Sequence, residues 1–402
     1  MLLVFLVVSG LSQGAGTAET HLKITWQKCT KSGCSNQQGG IVVDSEWREV
    51  VDASGKSCLR DGNSWDSSVC DGEADCSTKC RLNGFNYADI GVTTTGSTVR
   101  LPFVTPKGDV GSRVYLYDES GGQYVLFKPI NKEFTFDIET STLACGINGA
   151  LYFVEMDADG GTSKYPRNTA GAKYGTGYCD AQCPKDGKFI GNNANVGRKY
   201  GSCCFEWDIW EANAYATQFA AHPCGVSTAA YVCQSDCNQC DTSGCAWNHY
   251  RIGDHDYYGK GKKVNTNSKF TVVTQFISDN GQDSGNLREV RRLYVQGGKV
   301  IANNIKTYVD YKFDSINDQY CDLTSGDQAY KQRGGDGAFT KSFQRGQVLA
   351  MSIWTDGSMQ WLDAGDAGPC TDPGGKDALV SANKNAYVEY SNIKFGDIDT
   401  TY

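Results

Sequence analysis

Glu206, Asp208 and Glu211 fall within six residues, in the run Cys203-Cys204-Phe205-Glu206-Trp207-Asp208-Ile209-Trp210-Glu211-Ala212-Asn213. Apolar and acidic residues alternate from Phe205 to Ile209, the pattern of a strand with two unlike faces. Phe205, Trp207 and Ile209 take one face; Glu206, Asp208 and Trp210 take the other. Two acids on one strand face repel each other and are costly to bury, so a strand that keeps them has a use for them. Glu211 lies five residues beyond Glu206 and has the wrong parity on a regular strand. One extra residue in a bulge near Trp210 restores it, and three acids then line one groove. Two carboxyl groups across a sugar bond are the equipment of a glycosidase, with a covalent intermediate at ~5–5.5 Å separation and a bridging water at ~6.5–9.5 Å. Asp208, between them, is placed to hydrogen-bond a neighbour and hold their ionisation states apart. His222 follows closely and would complete the proton network. The alternatives are a calcium or saccharide site without catalysis, or a solvated strand face, and for His222 a structural role in a loop.

Aromatic residues would supply the other half of a sugar site, because pyranose rings have apolar C–H faces. Trp47, Trp354 and Trp361 stand at strand ends or near Gly-rich turns, where they can be exposed. For any single tryptophan the competing reading is core packing. Tyr152, Tyr178, Asp180, Gln182 and Arg251 offer polar groups for hydroxyls. The turn Asp157-Ala158-Asp159-Gly160-Gly161 has an acidic look but lacks the later Glu of a calcium loop, so it reads as an ordinary turn.

These residues need rigid elements to hold them. Strands are predicted over 92–103, 110–117, 134–138, 150–156, 269–277, 291–296, 348–354, 359–362 and 387–395. Residues 57–80 are polar and hold Cys58, Cys70, Cys76 and Cys80, the mark of a stapled loop region rather than core. Residues 164–178 form a long Gly- and Tyr-rich loop. Helix is scarce; 329–332 and 341–345 are at best short turns. The pattern is all-β, a two-sheet antiparallel sandwich with long disulfide-pinned loops.

With 402 residues, no Pro/Ser/Thr-rich linker and no repeat, one large domain is expected. The net charge of −8 argues against nucleic-acid binding. Leu2 to Val8 form an apolar run followed by small residues, which reads as an export leader cleaved between Gly14 and Glu19. That makes residues 1–18 the leader and 19–402 the mature domain. The run is too short to anchor the chain in a membrane. An even count of 18 cysteines behind an export signal favours disulfides. Cys233, Cys237, Cys240 and Cys245 have the alternative of a zinc site. No N-x-S/T sequon occurs.

The acidic strand with its Cys-Cys pair closely resembles the active-site strand of glycoside hydrolase family 7, the cellulase family of endoglucanases and cellobiohydrolases. Further blocks resemble the family along the chain: Thr25-Trp26-Gln27-Lys28-Cys29, Asp61-Gly62-Asn63-Ser64-Trp65, Gly149-Ala150-Leu151-Tyr152-Phe153, Trp361-Leu362-Asp363 and Ser391-Asn392-Ile393-Lys394-Phe395-Gly396. The resemblance implies a concanavalin-like jelly roll that cuts β-1,4-glucan with retention, without metal or organic cofactor. It implies Glu206 as nucleophile, Glu211 as general acid/base, Asp208 as the tuning acid and His222 beside the leaving group. Trp47, Trp354 and Trp361 match stacking platforms, and Tyr152, Asp180, Gln182 and Arg251 match sugar contacts. It also implies disulfides 29–34, 58–80, 70–76, 145–370, 179–204, 183–203, 224–240, 233–237 and 245–321. The chain departs from the family at Trp207 (a methionine elsewhere), at Glu49 (often a tryptophan) and at Arg81 (a cysteine).

Residues 105–109, 191–200, 355–358 and 364–369, with the neighbourhood of Asp236, are compact where tunnel-forming members carry longer loops. An open cleft is therefore expected, and with it a secreted, monomeric endo-β-1,4-glucanase acting on a β-1,4-glucan polysaccharide. The alternatives are a cellobiohydrolase with a partly open tunnel and a sugar-binding sandwich that has lost catalysis.

Overall fold

Alternation with period two, rather than helical periodicity, runs through most of the chain, and strands follow it. In a computed structural model, which describes residues 14–62, 64–226, 228–326 and 328–402, these strands fold into two antiparallel layers. The apolar run Leu2 to Val8 lies outside the described residues. Residues 14–18 lie against the domain: Gly14–Ala15 pairs with Arg81–Leu82, and the Tyr174 hydroxyl donates to Thr17 O at 2.9 Å.

The strands that position the site are, in chain order, β1 (Leu22–Thr30), β2 (Gly33–Val43), β3 (Ser112–Asp118), β4 (Lys132–Glu139), β5 (Asn148–Val154), β6 (Glu206–Ala212), β7 (Thr217–His222), β8 (Cys245–Asn248), β9 (Phe270–Ser278), β10 (Leu287–Gln296), β11 (Gln347–Trp354) and β12 (Tyr387–Asp397). One layer runs β2-β3-β11-β5-β6-β7-β8. The other runs β12-β4-β9-β10. β1 joins them, pairing antiparallel with β2 and parallel with β12.

Between the layers, Leu151, Phe153, Trp207 and Ile209 from β5 and β6 meet Phe134, Phe136, Val272 and Phe276 from β4 and β9, all fully buried. Edge-on ring pairs lock this contact: Trp207 on Phe276 at 5.7 Å and Phe153 on Phe134 at 5.1 Å between centroids. Such pairs add about 0.5–1.5 kcal/mol beyond burial. The core face of β6 is thereby fixed, and its acidic face must look outward.

All 18 cysteines form nine disulfides, in the nine pairings that the family resemblance implies. The zinc reading of Cys233, Cys237, Cys240 and Cys245 is thereby overturned, because those thiols are spent on bonds to Cys237, Cys233, Cys224 and Cys321.

Several local expectations are corrected. Residues 359–362 are not a strand: Met359 has φ 50° and Gln360–Asp363 form a helical turn. The Asp356 carboxylate accepts the Ser358 and Met359 N–H groups there, and this local turn chemistry wins over the apolar pattern. Residues 57–80 are not loop alone. They contain helix α1 (Gly72–Lys79), and Cys58, Leu59, Cys70, Cys76 and Cys80 join Val50 and Leu82 in a small core of their own. The disulfides act there as apolar side chains. Residues 92–103 split into a hairpin that turns at Gly96 (φ 61°). Residues 341–345 are the end of α2 (Gly335–Arg345), whose Phe339 and Phe343 lie one turn apart and both pack on Trp207.

Candidate active site

The register of β6 contains the bulge that the parity argument requires. Asp208 faces Ala220 on β7 and Glu211 faces Gln218, so Ile209 and Trp210 share the single residue Phe219. On the other flank Trp210 faces Leu151 and Trp207 faces Phe153, leaving Tyr152 for two residues of β6. The bulge returns Glu211 to the face of Glu206 and Asp208, and all three line one cleft. It also corrects the expected place of Trp210. That indole is turned into the core against Phe136, Tyr258 and Phe270.

Each carboxylate has its own partners. Glu206 accepts the Ala181 N–H through Oε2 at 2.9 Å. Glu211 accepts Asn148 Nδ2 at 3.0 Å and Gln218 Nε2 at 2.9 Å. Asp208 Oδ2 lies 3.0 Å from His222 Nε2, and His222 Nδ1 lies 2.8 Å from the Asp241 carbonyl oxygen. A carbonyl only accepts, so Nδ1 carries a proton, and the carboxylate at Nε2 favours a second. His222 is therefore an imidazolium paired with Asp208.

The charges follow from this packing. Burial pushes the Glu211 carboxyl up, the Asp208 charge adds to it, and the Gln218 and Asn148 hydrogen bonds only partly oppose, leaving it at about 8. Burial and the charges of Asp208 and Asp180 hold Glu206 well above the usual carboxylate range, against the His222 cation and the Ala181 N–H. For His222 burial opposes the charge, but Asp208, Glu206 and the Asp241 carbonyl outweigh it and raise the imidazole to about 10. Asp180 is raised by burial despite the hydrogen bond from the Tyr178 hydroxyl.

The cleft has a volume of about 1530 Å³, more than the ~300–1,000 Å³ of a small-molecule pocket. Trp47, Trp354, Trp361, Tyr152, Asp180 and Gln182 line it with the acids. Trp354 and Trp361 are 37% and 36% exposed and stack with centroids 6.1 Å apart. Trp47 is half-buried, its indole N–H donating to Gly111 O at 3.1 Å. Gln182 donates to Thr242 O at 2.9 Å. Arg251 is off the cleft wall; its guanidinium donates to Trp361 O at 2.8 Å and braces that platform from outside. The acidic turn is engaged internally: Asp159 accepts the Gly161 and Ser163 N–H groups and Asp157 pairs with Lys164.

Sequence reasoning missed Asn148, Gln218 and the Ala181 N–H, which hold the acids from other strands and loops. It also missed Arg113, which pairs with Asp44 at 2.8 Å and lies over the Tyr178 ring at 3.3 Å. Its signal was available in the alternation Arg113, Tyr115, Tyr117 on one face of β3.

A large groove on a β-sandwich, lined by three carboxylates and by indoles, has the equipment of a sugar-cleaving hydrolase. The model of glycosyl hydrolase family 7 matches residues 13–402, and the chain belongs to that family of cellulases. Similar solved structures include a family 7 cellobiohydrolase from Daphnia pulex, 38% identical over 97% of this chain and 100% of that one, with a TM-score of 0.92. The endocellulase EGI of Humicola insolens is 39% identical over 97% and 100% of the two chains, with a TM-score of 0.88. A Melanocarpus albomyces cellobiohydrolase complexed with cellotetraose is 35% identical over 97% and 99%, with a TM-score of 0.89.

Proposed function

We propose that the chain is a secreted, retaining endo-β-1,4-glucanase that cuts internal bonds of cellulose and related β-glucans by double displacement. The observation that carries the chemistry is the bulge, which sets Glu206 and Glu211 on one cleft face on either side of the Asp208–His222 ion pair. That pair is neutral overall, and burial with the Asp208 charge raises both glutamates above the usual carboxylate range. Glu211, raised to about 8 and held by Asn148 and Gln218, takes the role of general acid that the family resemblance implies. Glu206 is the nucleophile. It attacks the anomeric carbon while Glu211 protonates the leaving oxygen; Glu211 then takes a proton from water, which displaces Glu206 from the sugar. Asp208, fixed by His222, orients the nucleophile. Trp47, Trp354 and Trp361 stack the pyranose rings, and Tyr152, Asp180 and Gln182 bind hydroxyls.

Endo action rests on the loops. Thr105 N–H bonds Asp109 O and Gly108 N–H bonds Thr105 O, closing that turn on itself. Phe189–Ile190 and Asn193–Ala194 form a tight hairpin, and residues 355–359 are held by Asp356 and Thr355. We read these short turns as leaving the groove open at its side, which would let a glucan chain enter at an internal bond. A cellobiohydrolase with a partly open tunnel is the second reading, favoured by the TM-score of 0.92 to the Daphnia pulex enzyme. Nine disulfides fit an oxidising, extracellular setting.

On soluble carboxymethyl-cellulose the enzyme is expected to lower viscosity early, well ahead of reducing-sugar release. Cellobiose release with little loss of viscosity would overturn endo action. Glu206→Gln is expected to abolish turnover while retaining oligosaccharide binding, measured by calorimetry; surviving activity would remove Glu206 as nucleophile.

A further inference from the structure

Behind the acidic strand lies a buried cation that the chemistry above does not use. Arg292, on β10, is fully buried. Among the described residues it forms no ion pair; burial without a counter-charge pushes its guanidinium below its ordinary range. Burying an unpaired charge is expensive, so its contacts have to return something the fold needs. Its Nη2 donates to the carbonyl oxygen of Ile209, and its Nε donates to Thr274 Oγ1 at 3.2 Å. The guanidinium also lies over Phe219, 4.4 Å from the ring centroid, and 5.9 Å from that of Trp210.

Ile209, Trp210 and Phe219 are the three residues of the bulge: two on β6 and the one they share on β7. A bulge breaks the ladder and leaves backbone groups without their regular partners. Arg292 serves one of these, the Ile209 carbonyl, and places its planar face against rings from both strands. A lysine would satisfy the carbonyl but not the stacking, since it has no planar fork.

We infer that Arg292 is a positioning residue for Glu211, holding the bulge that turns this carboxyl into the cleft. The inference rests on Glu211 as the proton donor. Without the clamp, β6 can relax toward regular pairing, whose parity carries Glu211 away from the leaving oxygen. The defect is then specific to proton donation rather than spread over binding and nucleophilic attack.

The test compares Arg292→Lys, Arg292→Met and Glu211→Gln on aryl cellobiosides of graded leaving-group acidity, with kcat/KM reporting the glycosylation step. An acidic phenol departs without help; a poor leaving phenol needs the general acid. Both Arg292 variants are expected to lose about tenfold or more on poor leaving groups and little on dinitrophenolate, in the same direction as Glu211→Gln. Equal proportional losses on every substrate, or no loss, would overturn the inference. If Glu211→Gln itself shows no dependence on the leaving group, the assignment of the proton donor fails instead. Thr274→Val removes the Nε anchor at nearly constant volume and serves if the Arg292 variants do not fold. It is expected to show the same graded loss at smaller size, and a flat profile would count against the clamp.

Discussion

Glu211 holds a proton where a free glutamate has lost one. Burial is the largest cause, the Asp208 charge is next, and together they carry its carboxyl to about 8. A general acid works only while protonated, so kcat/KM on substrates with poor leaving groups is expected to fall as pH rises through about 8. Glu211→Gln is expected to remove that limb and to cost about 10²–10⁴-fold on such substrates. An alkaline limb that persists unchanged in the variant would assign it to another group. The acids themselves were legible from residue type and spacing, because period-two alternation makes a shared face visible. Asn148, Gln218 and the Ala181 N–H were not. They reach the carboxylates through strand pairing and a disulfide-pinned loop, and no local pattern marks a residue whose role depends on a partner far along the chain.

At the scale of elements, the parity failure at Glu211 predicted a bulge and the register contains one. The same argument left Trp210 with the acids, because it did not follow the extra residue through to the indole's new direction. Residues 359–362 misled for a related reason: an apolar run of four fits a strand or a helical turn, and only the Asp356 cap decides. The turn after Asp241 bears directly on the site. A Cβ at Gly244 would lie 2.3 Å from His222 Cε1, and Gly244 has φ 71°. Gly261 has φ 72° with nothing within 4 Å of its Cβ position, so it carries the backbone strain without the clash. Gly244→Ala and Gly261→Ala are each expected to cost about 1–3 kcal/mol of stability, but only Gly244→Ala should also lower kcat, by displacing His222 from Asp208. Equal kcat in the two variants would show that this turn does not seat the histidine.

For the whole molecule, buried acids of opposite tendency set the pH range of stability. Glu19 is buried at the edge of the domain, where burial opposes its charge but His21 and Arg48 outweigh it and bring the carboxyl to about 2. A depressed acid contributes stability above its ordinary value of 4.5 and loses it as pH falls through about 2. Glu211 at about 8 and Asp336, raised to about 7 by burial and the Asp318 charge, act in the reverse sense. Their contribution is complete below the ordinary carboxylate values and is lost as pH rises through about 7 and 8. His222, raised from 6.5 to about 10, adds a loss of the same sign further up. Tm is therefore expected to fall toward alkali as Asp336, Glu211 and His222 titrate, and to fall toward acid as Glu19 does. Scanning calorimetry of the wild type and of Glu19→Gln and Glu211→Gln separates the two limbs. The first variant should flatten only the acid side and the second only the alkaline side. A wild-type Tm that keeps rising through pH 8 would show that Glu211 and Asp336 are not held protonated by the fold.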